Sequence, residues 1–178
     1  MRIRTYGAAA LLLTVSLGAA ACGDDGHSRA DYVAVMSKAG SGFSADEAKC
    51  AAGALVDVVG VDNLEKADAF QKIQDNPDGN LSDYGITLDE AQGPELFAGL
   101  NDCKDMRQFF TEAMSSGGGL PAEAASCVVD GIDDATFSSM IIASFMDGEA
   151  AMDANPEFQG AIEQAATDCA SSGVDMGL

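Results

Sequence analysis

SADEAKCAAGALVDVVG, residues 44–60, carries clear signals of an α-helix. Ser44 is followed three residues later by Glu47, and this capping-box spacing satisfies backbone donors at the start of a helix. Apolar side chains then recur at the three- and four-residue spacing of one buried helical face, at Ala51, Leu55 and Val58. Gly60 is a natural C-terminal stop. The stretch therefore predicts an amphipathic helix that carries Cys50.

A second stretch, LPAEAASC at residues 120–127, repeats this acidic and alanine-rich run into a cysteine. Near the other two internal cysteines, LNDC at residues 100–103 is similar to ATDC at residues 166–169. Further matches lie five and seven residues past the first cysteine of each half, at Leu55 and Ile132 and at Asp57 and Asp134. These matches indicate an internal repeat.

The composition favours helices in both halves of the repeat. Hydrophobic residues make up 47% of the chain, enough to bury a core, whereas aromatic residues make up only 6% and Trp is absent. Sheets favour β-branched and aromatic side chains, so this composition suits closely packed helices better than a β-sandwich. We therefore predict an all-α protein of two related helical modules, residues 45–115 and 120–178, with the glycine-rich residues 115–119 between them.

Further helix boundaries follow from the same rules of capping and spacing. Additional helix starts are predicted at Asp62 with Glu65, Thr87 with Glu90, Pro121, and Asp134. The first of these opens a segment that runs through Ile73. One longer helix is predicted from a single apolar face, at Leu96, Leu100, Cys103, Phe110 and Met114.

The cysteines predict two disulfide bridges. The four internal cysteines permit three pairings, and they are Cys50, Cys103, Cys127 and Cys169. The modules favour Cys50–Cys103 with Cys127–Cys169, because each bridge then closes its own module. The alternative, a metal site of four thiolates, is not supported by any Cys-x-x-Cys spacing. Each bridge would stabilise the fold by about 4 kcal/mol in the chain-entropy model.

Residues 1–21 have the organisation of an export signal. Arg2 and Arg4 precede an apolar run over residues 8–17. The run is too short for a permanent membrane-spanning helix, which needs about 20 residues. We therefore predict a signal peptide that is removed from the mature protein.

Small residues at positions 18–21 lead directly into Cys22, and this motif resembles a bacterial lipobox. The resemblance implies cleavage before Cys22 and alkylation of its thiol with diacylglycerol. Residues 22–44 would then be the lipidated tether and N-terminal segment. The alternative is cleavage after Ala21 by an ordinary signal peptidase, because the preceding residues also satisfy the A-x-A rule.

The sequence offers little catalytic or metal-binding chemistry. His27, the only histidine, falls in the tether, so no Ser-His-Asp or Cys-His pair is predicted within the modules. The Asp75–Asp83 loop partly fits an EF-hand calcium loop. Gln74 and Gly85, however, stand where calcium needs an Asp and a bidentate Glu. We expect no catalytic residue, no metal and no cofactor.

The formal net charge of −20 restricts the partners of this protein. Nucleic acids and anionic lipid head groups are bound through basic contacts, so we expect no nucleic acid as a partner. An acidic helical surface instead favours a basic protein or peptide.

The block CAAGALVDVVG, residues 50–60, is similar to a Cys…Leu-Val-Asp…Gly pattern of small exported lipoproteins of the actinobacterial type. The resemblance implies a class of protein and no assigned activity. We expect a lipoprotein on the extracytoplasmic face of a cell membrane, with a non-enzymatic role in envelope interactions or structure. The alternatives are a calcium-binding lipoprotein that uses the Asp75–Asp83 loop and an extracytoplasmic hydrolase.

Overall fold

The computed structural model describes residues 26–38, 42–77, 79–117, 119–148, 151 and 154–177. The predicted signal peptide and Cys22 lie outside these ranges. All regular structure within them is helical, which confirms the all-α prediction. The helices are α1 (Arg29–Met36), α2 (Ala45–Val59), α3 (Val61–Lys66), α4 (Ala69–Asp75), α5 (Gln92–Cys103), α6 (Met106–Ser116), α7 (Ala122–Gly131), α8 (Asp134–Asp147) and α9 (Pro156–Ser171).

The start and end of α2 are confirmed as predicted. The backbone N–H of Ser44 donates to the Glu47 carboxylate at 2.7 Å, and the N–H of Glu47 donates to the Ser44 hydroxyl at 3.3 Å. Gly60 ends the helix with a φ of +81°, a left-handed conformation that glycine adopts at little cost. Local rules of capping therefore determine both ends of this element.

Both predicted disulfides are present in the structure. Cys50–Cys103 joins α2 to α5 with a Cα–Cα distance of 5.6 Å. Cys127–Cys169 joins α7 to α9 with a Cα–Cα distance of 6.0 Å. Each bridge therefore connects two helices within its own half of the chain.

A close glycine–alanine contact accompanies each disulfide. Four residues from the bridging cysteines, a Cβ placed on Gly99 of α5 would lie 2.8 Å from the Cβ of Ala54 in α2. At the corresponding place in the second half, a Cβ placed on Gly131 of α7 would lie 3.0 Å from the Cβ of Ala165 in α9. In both halves, the small residues let two antiparallel helices approach closely one turn from the crosslink. This shared geometry favours two related units.

A repeated arginine extends the similarity upstream of the region found from the sequence. The pattern Arg-x-x-aromatic-x-x-x-Met-Ser occurs at residues 29–37 and again at residues 107–115. Arg29 binds Asp57 through two nitrogens, each at 2.6 Å, while Arg107 binds Asp134 at 2.8 Å. Asp57 and Asp134 are the carboxylates that lie seven residues past the first cysteine of each half.

The two halves share one continuous apolar core. The ring of Phe137 in α8 contacts Phe97 of α5 and Phe110 of α6, each with ring centroids 6.0 Å apart. Helix α1 packs on α2, and α6 packs on α7. The packing therefore groups α1 with the first half and α6 with the second, which favours a boundary at Lys104 rather than at residues 115–119.

Helices α5 and α6 replace the single longer helix that the sequence predicted. The break falls at Lys104 and Asp105, where the Asp105 carboxylate accepts the backbone N–H of Gln108 at 3.0 Å. The Asn101 side chain accepts the N–H of Met106 at 3.2 Å. These side chains satisfy backbone donors that a continuous helix would have paired internally, so the chain can turn from α5 towards α7.

Helices α3 and α4 likewise replace one predicted segment. Asp68 between them has a left-handed φ of +51°. The ammonium of Lys72 donates to the carbonyl of Ala67 at 2.7 Å and satisfies the end of α3. The predicted start at Asp62 is wrong by two residues, because Gly60 itself occupies the N-cap position of α3.

Three other predicted helix starts are also displaced. In place of the Thr87–Glu90 pair, the Asp89 carboxylate accepts two backbone N–H groups at the start of α5, both at 2.9 Å. Asp133 rather than Asp134 caps α8, and its two backbone bonds leave Asp134 available to Arg107. Pro121 occupies the cap position of α7 rather than its first helical residue.

The described residues at the start of α1 are packed against α3 and α4. The Glu65 carboxylate accepts the backbone N–H of His27 and the hydroxyl of Tyr32, both at 2.9 Å. The His27 ring stacks on Phe70 with a centroid distance of 3.5 Å, and Tyr32 is fully buried. The bonds from His27 and then Tyr32 hold the pKa of Glu65 below its ordinary value. Burial and the neighbouring Glu65 raise the pKa of the Tyr32 phenol.

We expect Glu65→Gln to destabilise the protein at neutral pH and to have no effect in strong acid. Because the folded-state pKa of Glu65 is lowered, its carboxylate contributes stability above the ordinary glutamate pKa. This contribution is lost as the pH falls through the folded-state pKa. Thermal unfolding of the unsubstituted protein and of Glu65→Gln, measured from pH 7 downwards, should show that the two midpoint temperatures converge in acid. The control is Glu90→Gln at an exposed position, and an equal pH-dependent difference there would contradict the prediction.

Candidate functional site

An apolar cavity of about 420 Å³ lies in the first half of the molecule. Its walls come from the C-terminal end of α1, from α2, α4 and α5, from the loop that follows α4, and from Phe145 of α8. None of the described residues that line it is charged. Ligand sites are typically concave and mostly apolar, with volumes of about 300–1,000 Å³, so this cavity is the candidate binding site.

The floor and one wall of the cavity come from two disulfide-linked helices. Leu96 and Leu100 of α5 are 1% and 2% exposed and form part of the floor. Helix α2 contributes three small side chains to the wall, at Ala48, Ala51 and Ala52. Because Cys50–Cys103 joins α2 to α5, the crosslink limits the distance between this wall and the floor.

The opposite wall is a loop that is bonded to the end of α8. The backbone N–H groups of Leu81 and Ser82 donate to the carbonyls of Phe145 and Met146, at 3.1 and 3.0 Å. The Tyr84 hydroxyl donates to a backbone carbonyl within the same loop at 2.8 Å. These bonds satisfy carbonyls in the last turn of α8 and hold the loop over the cavity.

The second half has larger side chains where the first half has the small ones. Counted from the first cysteine of each half, Ala51 and Ala52 correspond to Val128 and Val129. Both valines are fully buried, at 1% and 0% exposure. The cavity is therefore associated with alanines at two positions where the second half carries valines.

Filling the cavity is expected to stabilise the protein. The double substitution Ala51→Val and Ala52→Val adds four carbon atoms, worth about 3 kcal/mol if they are fully buried. The lower helix propensity of two valines costs about 1 kcal/mol. We expect a net gain of about 1 to 2 kcal/mol in the free energy of unfolding, measured with urea. A loss of stability would show that this space cannot accept the added groups.

A lysine lies beside one wall of the cavity. The ammonium of Lys104 is 5.5 Å from the ring centroid of Phe43, which lines the cavity. It donates to the carbonyl of Gly42 at 2.9 Å and pairs with Glu47 at 3.4 Å. The hydrogen-bonding capacity of this cation is therefore already partly used within the protein.

A second, shallow depression of about 520 Å³ surrounds Cys50–Cys103. Charged side chains line it, among them Arg29, Lys49, Asp57 and Glu95. The hydrogen bond from Arg29, together with its charge, holds the pKa of Asp57 below its ordinary value. Asp57 is thus stabilised as a carboxylate in a salt bridge, whereas the hydrolase alternative requires a carboxyl group held ready for proton transfer.

The calcium alternative stays a prediction. Asp78 of the proposed loop lies outside the described residues, and the Asp83 carboxylate accepts the backbone N–H of Asn80 at 2.9 Å. Among the residues that the structure describes, no three His, Cys, Asp or Glu side chains are grouped closely enough to hold a metal ion.

The structure joins the four internal cysteines in the two predicted pairs, Cys50–Cys103 and Cys127–Cys169. Cys22 lies outside the described part of the chain. The cavity and the two repeated arginines, Arg29 and Arg107, were not predicted from the sequence. The arginine pattern is visible in the sequence once the repeat is extended upstream. The cavity leaves a weaker signal in the sequence, which is the presence of alanines in the first half at two positions where the second half has valines.

Comparison of the chain with protein-family models, curated protein sequences and solved structures finds no match. Within the described ranges, no helix combines the length and apolarity needed to cross a bilayer.

Proposed function

We propose that this protein is a lipoprotein anchored through Cys22 on the extracytoplasmic face of a cell membrane, with a non-enzymatic role in envelope interactions. The use of the cysteines is the observation that carries the proposal. Four of the five are joined in two disulfides, which are typical of an oxidising compartment. The fifth, Cys22, follows small residues in a lipobox-like motif and is the cysteine available for acylation.

The distribution of charge supports a basic protein or peptide as the partner. Residues 108–178 contain 12 Asp and Glu residues and no Lys, Arg or His. All the described carboxylates in this part of the chain are on exposed residues. A surface of one sign attracts partners of the opposite sign and speeds their association, especially at low salt.

Mass spectrometry of the protein from its native membrane tests the anchor. We expect the N-terminal peptide to begin at Cys22 and to carry the added mass of acyl chains. A Cys22→Ser variant should leave the membrane fraction while keeping both disulfides. A mature terminus with an unmodified Cys22 thiol would contradict the proposal.

An oligolysine peptide tests the acidic surface. We expect binding that weakens as salt is raised, and that weakens further in the triple variant Glu157→Gln, Glu163→Gln and Asp168→Asn. The matched control is Asp46→Asn, Asp62→Asn and Glu90→Gln in the first half, which changes the net charge equally. Equal losses in both variants would assign the attraction to net charge alone and contradict a surface in the second half.

A further inference from the structure

We propose that the cavity binds the hydrocarbon chain of an uncharged single-chain lipid, such as a monoacylglycerol, and leaves its head group in solvent. This inference goes beyond the anchoring role, and only the choice of a lipid as the source of the chain rests on the proposed function. A protein held at a membrane surface lies beside the hydrocarbon chains of lipids.

The volume and lining of the cavity set the chemistry of the ligand. An apolar protein cavity of about 150 Å³ accepts a molecule of the size of benzene, and the cavity here is about 420 Å³. Because the lining is mostly apolar and none of the described lining residues is charged, the cavity favours an apolar, uncharged group. Met36 on the wall has an unbranched, adaptable side chain that can pack against a linear hydrocarbon chain.

The two halves differ at two positions that border the cavity. Val128 and Val129 are fully buried in the second unit, whereas Ala51 and Ala52 border the cavity in the first. Interiors are normally packed to the density of organic crystals, so the apolar walls of this space lack contacts that a ligand could supply. A hydrocarbon chain would supply the contacts that the valines supply in the other unit.

The charges around the cavity favour an uncharged head group. The ammonium of Lys104 is bonded to Gly42 and Glu47, and that of Lys72 is bonded to the carbonyls of Ala67 and Tyr84. An anionic head group would have to compete for these cations. It would also be repelled by a protein of net charge −20.

A chain-length series of monoacylglycerols, from hexanoyl to dodecanoyl, tests the proposal by titration calorimetry below the aggregation limit of each lipid. The protein is the full chain with Cys22→Ser, so that no anchor can occupy the cavity and the result does not depend on acylation. Each added methylene should strengthen binding about fourfold until the cavity is filled, after which affinity should level off. Decanoate should bind more weakly than monodecanoylglycerol.

Three variants on α2 show where the lipid binds. Ala51→Val with Ala52→Val should weaken the binding of monodecanoylglycerol at least tenfold. Ala45→Val, the same change at an exposed position of the helix, should leave it unchanged. Ala48→Leu at the half-buried rim provides a second blocking variant, and circular dichroism of each variant confirms that the helices are retained.

Some results would overturn the inference. No binding at any chain length would reject it, and so would an affinity that rises without levelling and is equal in the blocked variants, since that pattern describes adsorption to the surface. Decanoate binding as tightly as the monoacylglycerol would reject the uncharged head group. None of these results bears on the acylation of Cys22, so the two proposals can fail separately.

Discussion

Removal of the Cys127–Cys169 crosslink, by Cys127→Ala with Cys169→Ala, is expected to lower the free energy of unfolding by about 4 kcal/mol. The bridge joins residues 42 positions apart, and the chain-entropy model assigns about this value to a loop of that length. Domains of this kind are stable by only about 5–15 kcal/mol in total, so the loss is a large fraction of the whole. Urea unfolding of the full chain at neutral pH measures it.

The other crosslink provides the matched comparison. Cys50–Cys103 spans 53 positions, so Cys50→Ala with Cys103→Ala should cost a similar amount. Cys169 is buried and Cys50 is exposed, so a mild thiol reductant should reduce Cys50–Cys103 before Cys127–Cys169. Alkylation followed by peptide mapping would show the order. If the free energy of unfolding fell by less than about 1 kcal/mol for either pair, that disulfide would not be a main source of stability.

Arg107→Ala is expected to cause the second-largest loss, about 2 to 3 kcal/mol. The guanidinium donates to the carbonyls of Val129 and Ile132 near the end of α7 and to the Asp134 carboxylate. It also lies over the Phe137 ring at 4.5 Å from the centroid. The substitution would remove all these contacts at once and leave two carbonyls in a partly buried place without this donor.

The arginine of the first half is the control for this prediction. Arg29→Ala should cost less, because the side chains of Arg29 and Asp57 are 53% and 59% exposed and solvent weakens their attraction. Arg107→Lys should recover only part of the stability, since an ammonium cannot reproduce the planar fork or its stacking. Equal losses for Arg29→Ala and Arg107→Ala, measured with urea, would show that burial does not set the size of the effect.

The features that could be predicted from the sequence have determinants that are local or are repeated along the chain. The capping box of Ser44 and Glu47 needs only four adjacent residues, so it could be predicted without the structure. The disulfide pairing followed from two similar segments, each with one cysteine near either end. The helical class followed from composition and spacing.

The failures concern contacts between residues that the helical pattern does not connect. The break after α5 depends on Asn101 and Asp105 satisfying the backbone of the next helix, and an apolar spacing of three and four cannot show it. The break before α4 depends on Lys72 reaching the carbonyl of Ala67. The cavity depends on whether the alanines of α2 meet a closely packed partner, and alanines that pack tightly look the same in the sequence as alanines that border a space.

The packing of α6 against α7 determines how this chain could be divided into fragments. A cut within residues 115–119, at the most obvious glycine-rich linker, would separate α6 from the helix on which it lies and uncover the apolar face of α7. The same cut would remove Arg107 from its acceptors at the end of α7. A second-half fragment should therefore keep α6 and Arg107, and a fragment that begins at Leu120 should be less stable than one that begins at Asp105.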